Sequence, residues 1–233
     1  MLMQERPLVS IVIPVFNEEP TVGNVIERVK AAIERMNLPY EILVIDDCST
    51  DNSLEVSKSK KVKVYQLERH MGKGYALRLG FKEAKGEIIV TLDSDGSHKP
   101  EELPMMLEPI LRDEADLVVG SRFLSRENVF SNKLNKIGVQ LFNLLIRILT
   151  GKATTDSQSG YRAFKSAVLE KIQLKSKGYE IESEMLVKAL KSGFKSKEVS
   201  ISFEQRTYGK SKLAPFRDGI KIFMSILAAY VGV

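Results

Sequence analysis

The sequence predicts an α/β protein with a mostly parallel central sheet, helices on both of its faces and a C-terminal amphipathic helical region. Three observations carry this: apolar runs rich in Val and Ile recur through the first half, helix-like segments separate them, and Gly, Pro and Asp mark the changes. The strand candidates are residues 9–16, 40–47, 62–67, 87–93 and 116–123. They are continuous rather than alternating, which is the pattern of strands buried on both faces. Helical spacing covers 21–36, 74–84 and 100–114, with Pro104 and Pro109 expected to break the last. Strand, helix and strand repeated in this way call for parallel crossovers.

The second half is less regular. Residues 133–149 form an amphipathic helix, with Lys133, Lys136, Gln140, Asn143 and Arg147 on a narrow polar stripe and a wide apolar face around it. Such a face packs in a core or lies on a membrane surface. Residues 198–205 read as a strand, and a last helix starts near Pro215 and stays apolar to its end. Twelve apolar residues are too few to span a bilayer, which takes about 20. The expected division is a main domain over 1–213 and an apolar helix over 214–233 that packs or sits near a membrane.

A chain of 233 residues, 43% hydrophobic, is long enough for one well-packed domain. Cys48 is the only cysteine, so no intrachain disulfide can form and a reducing, cytoplasmic location is expected. Zinc would need more soft ligands than this. The N-terminal residues lack the apolar stretch of a signal peptide. Residues 1–119 carry 15 Lys+Arg against 21 Asp+Glu, and residues 120–233 carry 20 against 9. The acidic half would repel nucleic acid, so a nucleic-acid partner is not expected, while the basic half suits an anionic one.

The most informative segment is IIVTLDSDGSHKPEEL, residues 88–103. It delivers Asp93 and Asp95 off the end of an apolar strand, where residues i and i+2 share a side and can converge on one hard cation, Mg²⁺ or Mn²⁺, able to hold a diphosphate. Gly96 and Pro100 end the strand and place the acids in a strand-to-helix loop, where α/β folds keep their ligands. Other segments follow the same logic. In PVFNEE, Pro14 ends strand pairing and exposes Phe16 and Glu18; in IDDCSTD, Asp46 lies inside an apolar strand and can accept from base N–H groups, while Asp47 or Ser49 equally suits a helix N-cap. Gly72 and Gly74 in RHMGKGYA let backbone approach phosphate, with Lys73 adding charge, although a simple glycine turn has the same signature.

In this order, PVFNEE, IDDCSTD, GKGYA, DSDGSHKPEEL, VGSRF, DSQSGYRAF and FEQRTYGKSKL resemble the family 2 inverting glycosyltransferases of the GT-A fold over about residues 8–213. GSR, DSQSGY and R-x-x-G-x-SK are most similar to the polyprenyl-phosphate (dolichyl-phosphate) sugar synthases, the mannose synthases among them. The resemblance implies that Pro14, Phe16, Glu18, Val44 and Asp46 meet the nucleotide and that Asp93 and Asp95 hold the metal. Lys73, Ser94 and Ser97 join the donor side. Arg122, Arg206 and Lys212 would clamp phosphates, for which the planar guanidinium fork is suited. Asp156 would bind sugar hydroxyls or orient an arginine. Glu182 and Glu184 could serve as a base for a hydroxyl acceptor, but are expected on a solvated helix face.

The activity so implied is inverting transfer from a nucleoside diphosphate sugar, GDP-mannose first, to a polyprenyl phosphate at the cytoplasmic face of a membrane. The alternatives are a UDP-sugar donor with a saccharide or small-molecule hydroxyl acceptor, and a non-catalytic binding module. Phe16 stands where the mannose synthases have Tyr, and Ser97 where they have Gln, which leaves the donor open. Processive synthases carry Q-x-x-R-W; this chain has no Trp.

Overall fold

Strand β1 (Val9–Val15) buries all seven of its side chains, as an uninterrupted apolar run requires. In the computed structural model, which describes residues 6–124, 133–204, 208 and 214–232 (of 133 and 134 the backbone alone), β1 lies in a seven-stranded sheet. The other strands are β2 (Tyr40–Asp46), β3 (Lys63–Gln66), β4 (Ile88–Thr91), β5 (Leu117–Ser121), β6 (Arg162–Lys165) and β7 (Ser196–Ser200), in the spatial order β3-β2-β1-β4-β6-β5-β7. Only β6 runs against its neighbours, pairing antiparallel with both β4 and β5.

Helices cover both faces, so the predicted class holds. Val9, Ile11, Ile13 and Val15 of β1 enter one core with α1 (Glu19–Glu34) and α4 (Leu103–Leu111). Val12 enters the opposite core with α3 (Lys73–Glu83), α7 (Ile181–Lys191) and α8 (Pro215–Val231). Each fully buried aliphatic side chain contributes about 1.5–3 kcal/mol, and the period of two divides that contribution between the layers. At Gly80 an added Cβ would overlap Val12, so α3 lies closer on the sheet than any other residue would permit.

Several expectations need correction. Pro104 does not break its helix: a 3-10 turn (Pro100–Glu102) leads into α4, whose first turn accepts proline because its N–H would be unpaired anyway. Pro109 is tolerated near the end, and the helix stops at Leu111, short of 114. Strands β4 and β5 end at Thr91 and Ser121 rather than 93 and 123, and β7 covers 196–200 rather than 198–205. Helices α2 (Ser53–Ser59) and α6 (Ser166–Lys171) and strand β6 were not foreseen, and of α7 only a helix face at Glu182 and Glu184 was. Helices α2 and α6 and the strand have fewer than eight residues, too few to show a period.

Helix α5 (Lys133–Thr150) was foreseen, but not its orientation. Asn143, assigned to the polar stripe, faces inward: its amide donates to Thr155 O at 2.7 Å and accepts from Ser157 N at 3.0 Å. Ile146 is buried, whereas Ile137, Leu141, Leu144 and Ile148 are exposed. Helix α8 packs on α7 and α5 through Ile222, Ile226 and Ala229, and leaves Phe216, Ile220, Phe223 and Met224 outside.

Candidate active site

The site begins where β1 parts from β4. Pairing of β1 with β4 ends at Val12–Thr91, whereas pairing with β2 runs on to Val15–Asp46. Pro14 therefore does not end pairing as expected; it stays in the β2 ladder while β4 turns away, and a cleft opens on the side where its missing N–H is of no consequence. Across that cleft Ser94 Oγ donates to Pro14 O at 2.9 Å, and Thr21 Oγ1 donates to Ser94 O at 2.8 Å. The acidic loop is thus tied to β1 and α1.

Asp93 follows the end of β4 without regular structure and Asp95 lies in the turn after it, so both stand beyond the alternation of the strand. Gly96 adopts φ +77°, which bends the loop back. Asp95 Oδ1 accepts from Ser97 N at 2.9 Å and from Ser97 Oγ at 2.6 Å. Ser97 is buried and orients Asp95 rather than lining the cavity. The Asp93 N–H donates to His98 Nδ1 at 3.3 Å, a residue that sequence reasoning passed over. Burial depresses the His98 pKa, which keeps the imidazole a neutral acceptor.

A cavity of about 630 Å³ lies against this loop. Pro14, Phe16, Glu18, Lys73, Asp93, Ser94 and Asp95 all line it. Phe16 stacks on His70 with ring centroids 4.0 Å apart, and His70 Nδ1 is 2.9 Å from Asp47 Oδ2. Asp47 is not an N-cap: its carboxylate accepts from Met71 N at 2.7 Å and Gly72 N at 2.8 Å, holding the glycine turn that starts α3. Asp46 is fully buried; one carboxylate oxygen accepts from Ser49 N at 3.0 Å and the other has no hydrogen-bond partner. Val44 is fully buried in the sheet core between Ile13 and Val64 and does not reach the cavity wall.

Lys73 projects from the first turn of α3 between two carboxylates, 2.6 Å from Asp93 Oδ1 and 2.8 Å from Glu182 Oε1. Burial alone would lower its pKa, but Asp93 and Glu182 outweigh it and hold the ammonium above its ordinary value. Glu182 is therefore part of the site and not on a solvated face; Glu184 is buried too. These are corrections with one cause: α7 is sandwiched between α8 and the sheet, so its polar residues point into the fold.

Glu184 anchors the segment that forms the far wall. It accepts from Lys175 N and Ser176 N at 2.9 and 2.8 Å and pairs with Lys188 at 2.7 Å. Burial pushes its pKa up, but Lys188 and these donors prevail and hold it below the ordinary 4.5. A depressed folded pKa gives stability that is present above the unfolded value and lost as pH falls through the folded one. The stability difference between wild type and Glu184→Gln should therefore be constant near neutrality and shrink below about pH 4.5. Urea unfolding at pH 7 and pH 3 checks this; an unchanged difference would refute it.

Arg122 is gripped by Asp156, with Nε to Oδ2 at 2.6 Å and Nη2 to Oδ1 at 2.8 Å. Asp156 is fully buried, so of its two expected roles the geometry shows the orientation of an arginine. Burial would lower the Arg122 pKa, but Asp156 outweighs it and raises it. Glu198 in turn accepts from Thr154 Oγ1, Thr155 N and Asp156 N, holding the loop that presents Asp156. Arg206 and Lys212 lie outside the described residues.

The cavity's remaining wall is formed by Lys175–Glu180 and by Arg217, Asp218 and Lys221 on the first turns of α8. Arg217 and Lys221 are four apart and share a helix face. None of these was singled out from sequence. Among the described residues no group of three His, Cys, Asp or Glu could hold a metal. Asp93 and Asp95 still fit a hard cation, which would take its further oxygen donors from a diphosphate and water, because their own oxygen donors suit Mg²⁺ or Mn²⁺.

The chain is 31% identical over 249 residues to a UDP-N-acetylglucosamine–dolichyl-phosphate N-acetylglucosaminyltransferase of Methanococcus voltae, covering 97% of each chain. It is 33% identical over 213 residues to a dolichol-phosphate mannosyltransferase of Pyrococcus furiosus, covering 88% of this chain and 59% of that one. The fold matches glucosyl-3-phosphoglycerate synthase from Mycobacterium tuberculosis, solved with Mn²⁺, uridine diphosphate and glucosyl-3-phosphoglycerate, with a TM-score of 0.78 at 20% identity over 97% of this chain and 81% of that one. The family model "Glycosyl transferase family 2" matches residues 10–173, which span the cleft at Pro14, the acidic loop and the Arg122–Asp156 pair, and this chain is a member of that family of enzymes.

Proposed function

We propose that this glycosyltransferase transfers a sugar from a nucleoside diphosphate sugar, with inversion, to a polyprenyl phosphate at a membrane surface. The observation that carries the acceptor is the placement of apolar surface beside the cavity. Helix α8 lines the cavity with Arg217 and Lys221, while Phe216, Ile220, Phe223 and Met224 on the same helix are exposed, as are Ile137, Leu141, Leu144 and Ile148 on the adjoining α5. Apolar residues of this size, exposed together and bordered by cations, suit a lipid surface. Basic residues near an anionic bilayer add about 1 kcal/mol each. Among the described residues no helix is long and apolar enough to cross a membrane. The two curated relatives named for dolichyl-phosphate acceptors support the same class.

A phosphate acceptor is already ionised and needs no general base. Glu182, the carboxylate nearest such a role, is engaged in an ion pair with Lys73. On the donor side, Phe16 and His70 line the cavity, and the Asp46 oxygen without a partner, buried behind that wall, is of the kind that accepts from a base N–H. A divalent cation on Asp93 and Asp95 would neutralise charge that develops on the departing diphosphate. Arg122, held in a fixed orientation by Asp156, would steady the anionic nucleophile. Motif resemblance favours GDP-mannose, while the relative that matches end to end is named for UDP-N-acetylglucosamine.

The test is a transfer assay with Mn²⁺ in which GDP-mannose, UDP-glucose and UDP-N-acetylglucosamine are each offered with a short polyprenyl phosphate or with saccharide hydroxyl acceptors. One donor should give a polyprenyl-phosphate sugar, and anionic liposomes should float the protein at low salt. Transfer to hydroxyls alone, or a protein that stays with the soluble fraction, would overturn the acceptor reading.

A further inference from the structure

We propose that Lys73 is a built-in counter-ion that occupies Asp93 until a diphosphate draws it away, so that the metal and the diphosphate bind as a coupled pair. The proposal rests on the reading of Asp93 and Asp95 as the cation site and extends it to a residue that would touch the diphosphate rather than the metal.

The geometry of Lys73 supports this. Its ammonium touches Asp93 and Glu182 at once, at 2.6 and 2.8 Å, and its side chain is 17% exposed on the cavity side. Its backbone is closely packed: a Cβ on the neighbouring Gly74 would lie 2.8 Å from the carbonyl oxygens of Ser176 and Gly178, so α3 starts in direct contact with that segment. Only the tip of the lysine has room to move. Gly160 makes that room, because a Cβ there would lie 2.8 Å from Lys73 Nζ and 3.0 Å from both Asp93 carboxylate oxygens.

Charge decides the direction of the effect. Asp93, Asp95 and Glu182 gather three carboxylates at Lys73, with Arg122 and Arg162 also within electrostatic reach, and a divalent cation can reach Asp93 only by approaching a carboxylate already paired with Lys73. Like charges at such separations repel strongly in a partly buried site. A diphosphate on the cavity side offers the ammonium a second anion. Lys73 can then keep Glu182, release Asp93 and pair with the diphosphate, leaving Asp93 to the cation. Each ligand thus removes an obstacle to the other, and linkage makes the effect reciprocal.

The experiment is calorimetric titration of the whole protein with Mn²⁺ alone and with inorganic pyrophosphate, the latter chosen because it does not depend on the donor base. Pyrophosphate also binds manganese in free solution, so the ratio between wild type and variant is the quantity read. Lys73→Met should bind Mn²⁺ alone about tenfold more tightly than wild type, bind pyrophosphate more weakly and lose most of the coupling, within the usual 5–150-fold range of such effects. Lys73→Arg should restore coupling in part. Glu182→Gln should do the reverse of Lys73→Met and weaken Mn²⁺ alone, since it removes a negative charge and leaves Lys73 only Asp93; this variant serves should Lys73→Met fail to fold. Unchanged or weaker Mn²⁺ binding in Lys73→Met, or unchanged binding in Glu182→Gln, overturns the counter-ion role while the metal site stands. No Mn²⁺ binding by the wild type, even with pyrophosphate, overturns both.

Discussion

Asp95→Asn should reduce sugar transfer by about a thousandfold or more while leaving the fold intact, because a charged ligand of a catalytic cation contributes several kcal/mol to the transition state. The fold should survive for a structural reason. Asp95 Oδ1 accepts two hydrogen bonds from Ser97, and the amide oxygen of Asn can accept both. Thermal unfolding should therefore change little without metal, whereas the stabilisation that Mn²⁺ with nucleotide gives the wild type should disappear. A chelator should bring the wild type down to the level of the variant. Full transfer in the variant, or in excess chelator, would remove Asp95 and the cation from the reaction.

Replacement of Arg162 should have the largest effect on stability. The residue is 1% exposed, and its guanidinium donates to three backbone carbonyls, Ser159 O at 2.9 Å, Glu182 O at 2.6 Å and Ser157 O at 2.8 Å. Burial pulls its pKa down to about 10, which shows that the fold bears a desolvation cost to keep it. Arg162→Met fills a similar volume but leaves three buried acceptors, each worth about 1–3 kcal/mol, partly offset by removal of the buried charge. The expected net loss is about 3 kcal/mol in a denaturant titration. Activity should fall further than stability requires, because Arg162 ties the Ser157–Ser159 loop to the start of α7 and so sets where Gly160 and Glu182 stand. A loss below about 1 kcal/mol would show that water satisfies those carbonyls instead.

What could be read from the residues alone was whatever depends on near neighbours. The long apolar runs of β1 and β2, the period of α1 and α5, and Asp93 and Asp95 two apart after a strand are short-range patterns. The motif order carried the family with them, as the match over residues 10–173 shows. Seven of the expected site residues line the cavity: Pro14 near the end of β1, Lys73 at the start of α3, and the other five on segments that follow strand ends.

Tertiary structure decided the rest. The solvated face expected for Glu182 and Glu184 is buried, because the partner that covers α7 is α8, more than 20 residues further along the chain. Arg122 and Asp156, 34 residues apart, meet only because β5 and the loop before β6 are brought together across an antiparallel pairing too short to be read in advance. Lys73 finds Asp93 and Glu182 from two other elements. Periodicity specifies which face of an element is apolar; it does not specify what covers that face. For charged residues that difference decides between solvent and active site, since a buried charge is tolerated only where a distant chain segment supplies its partner.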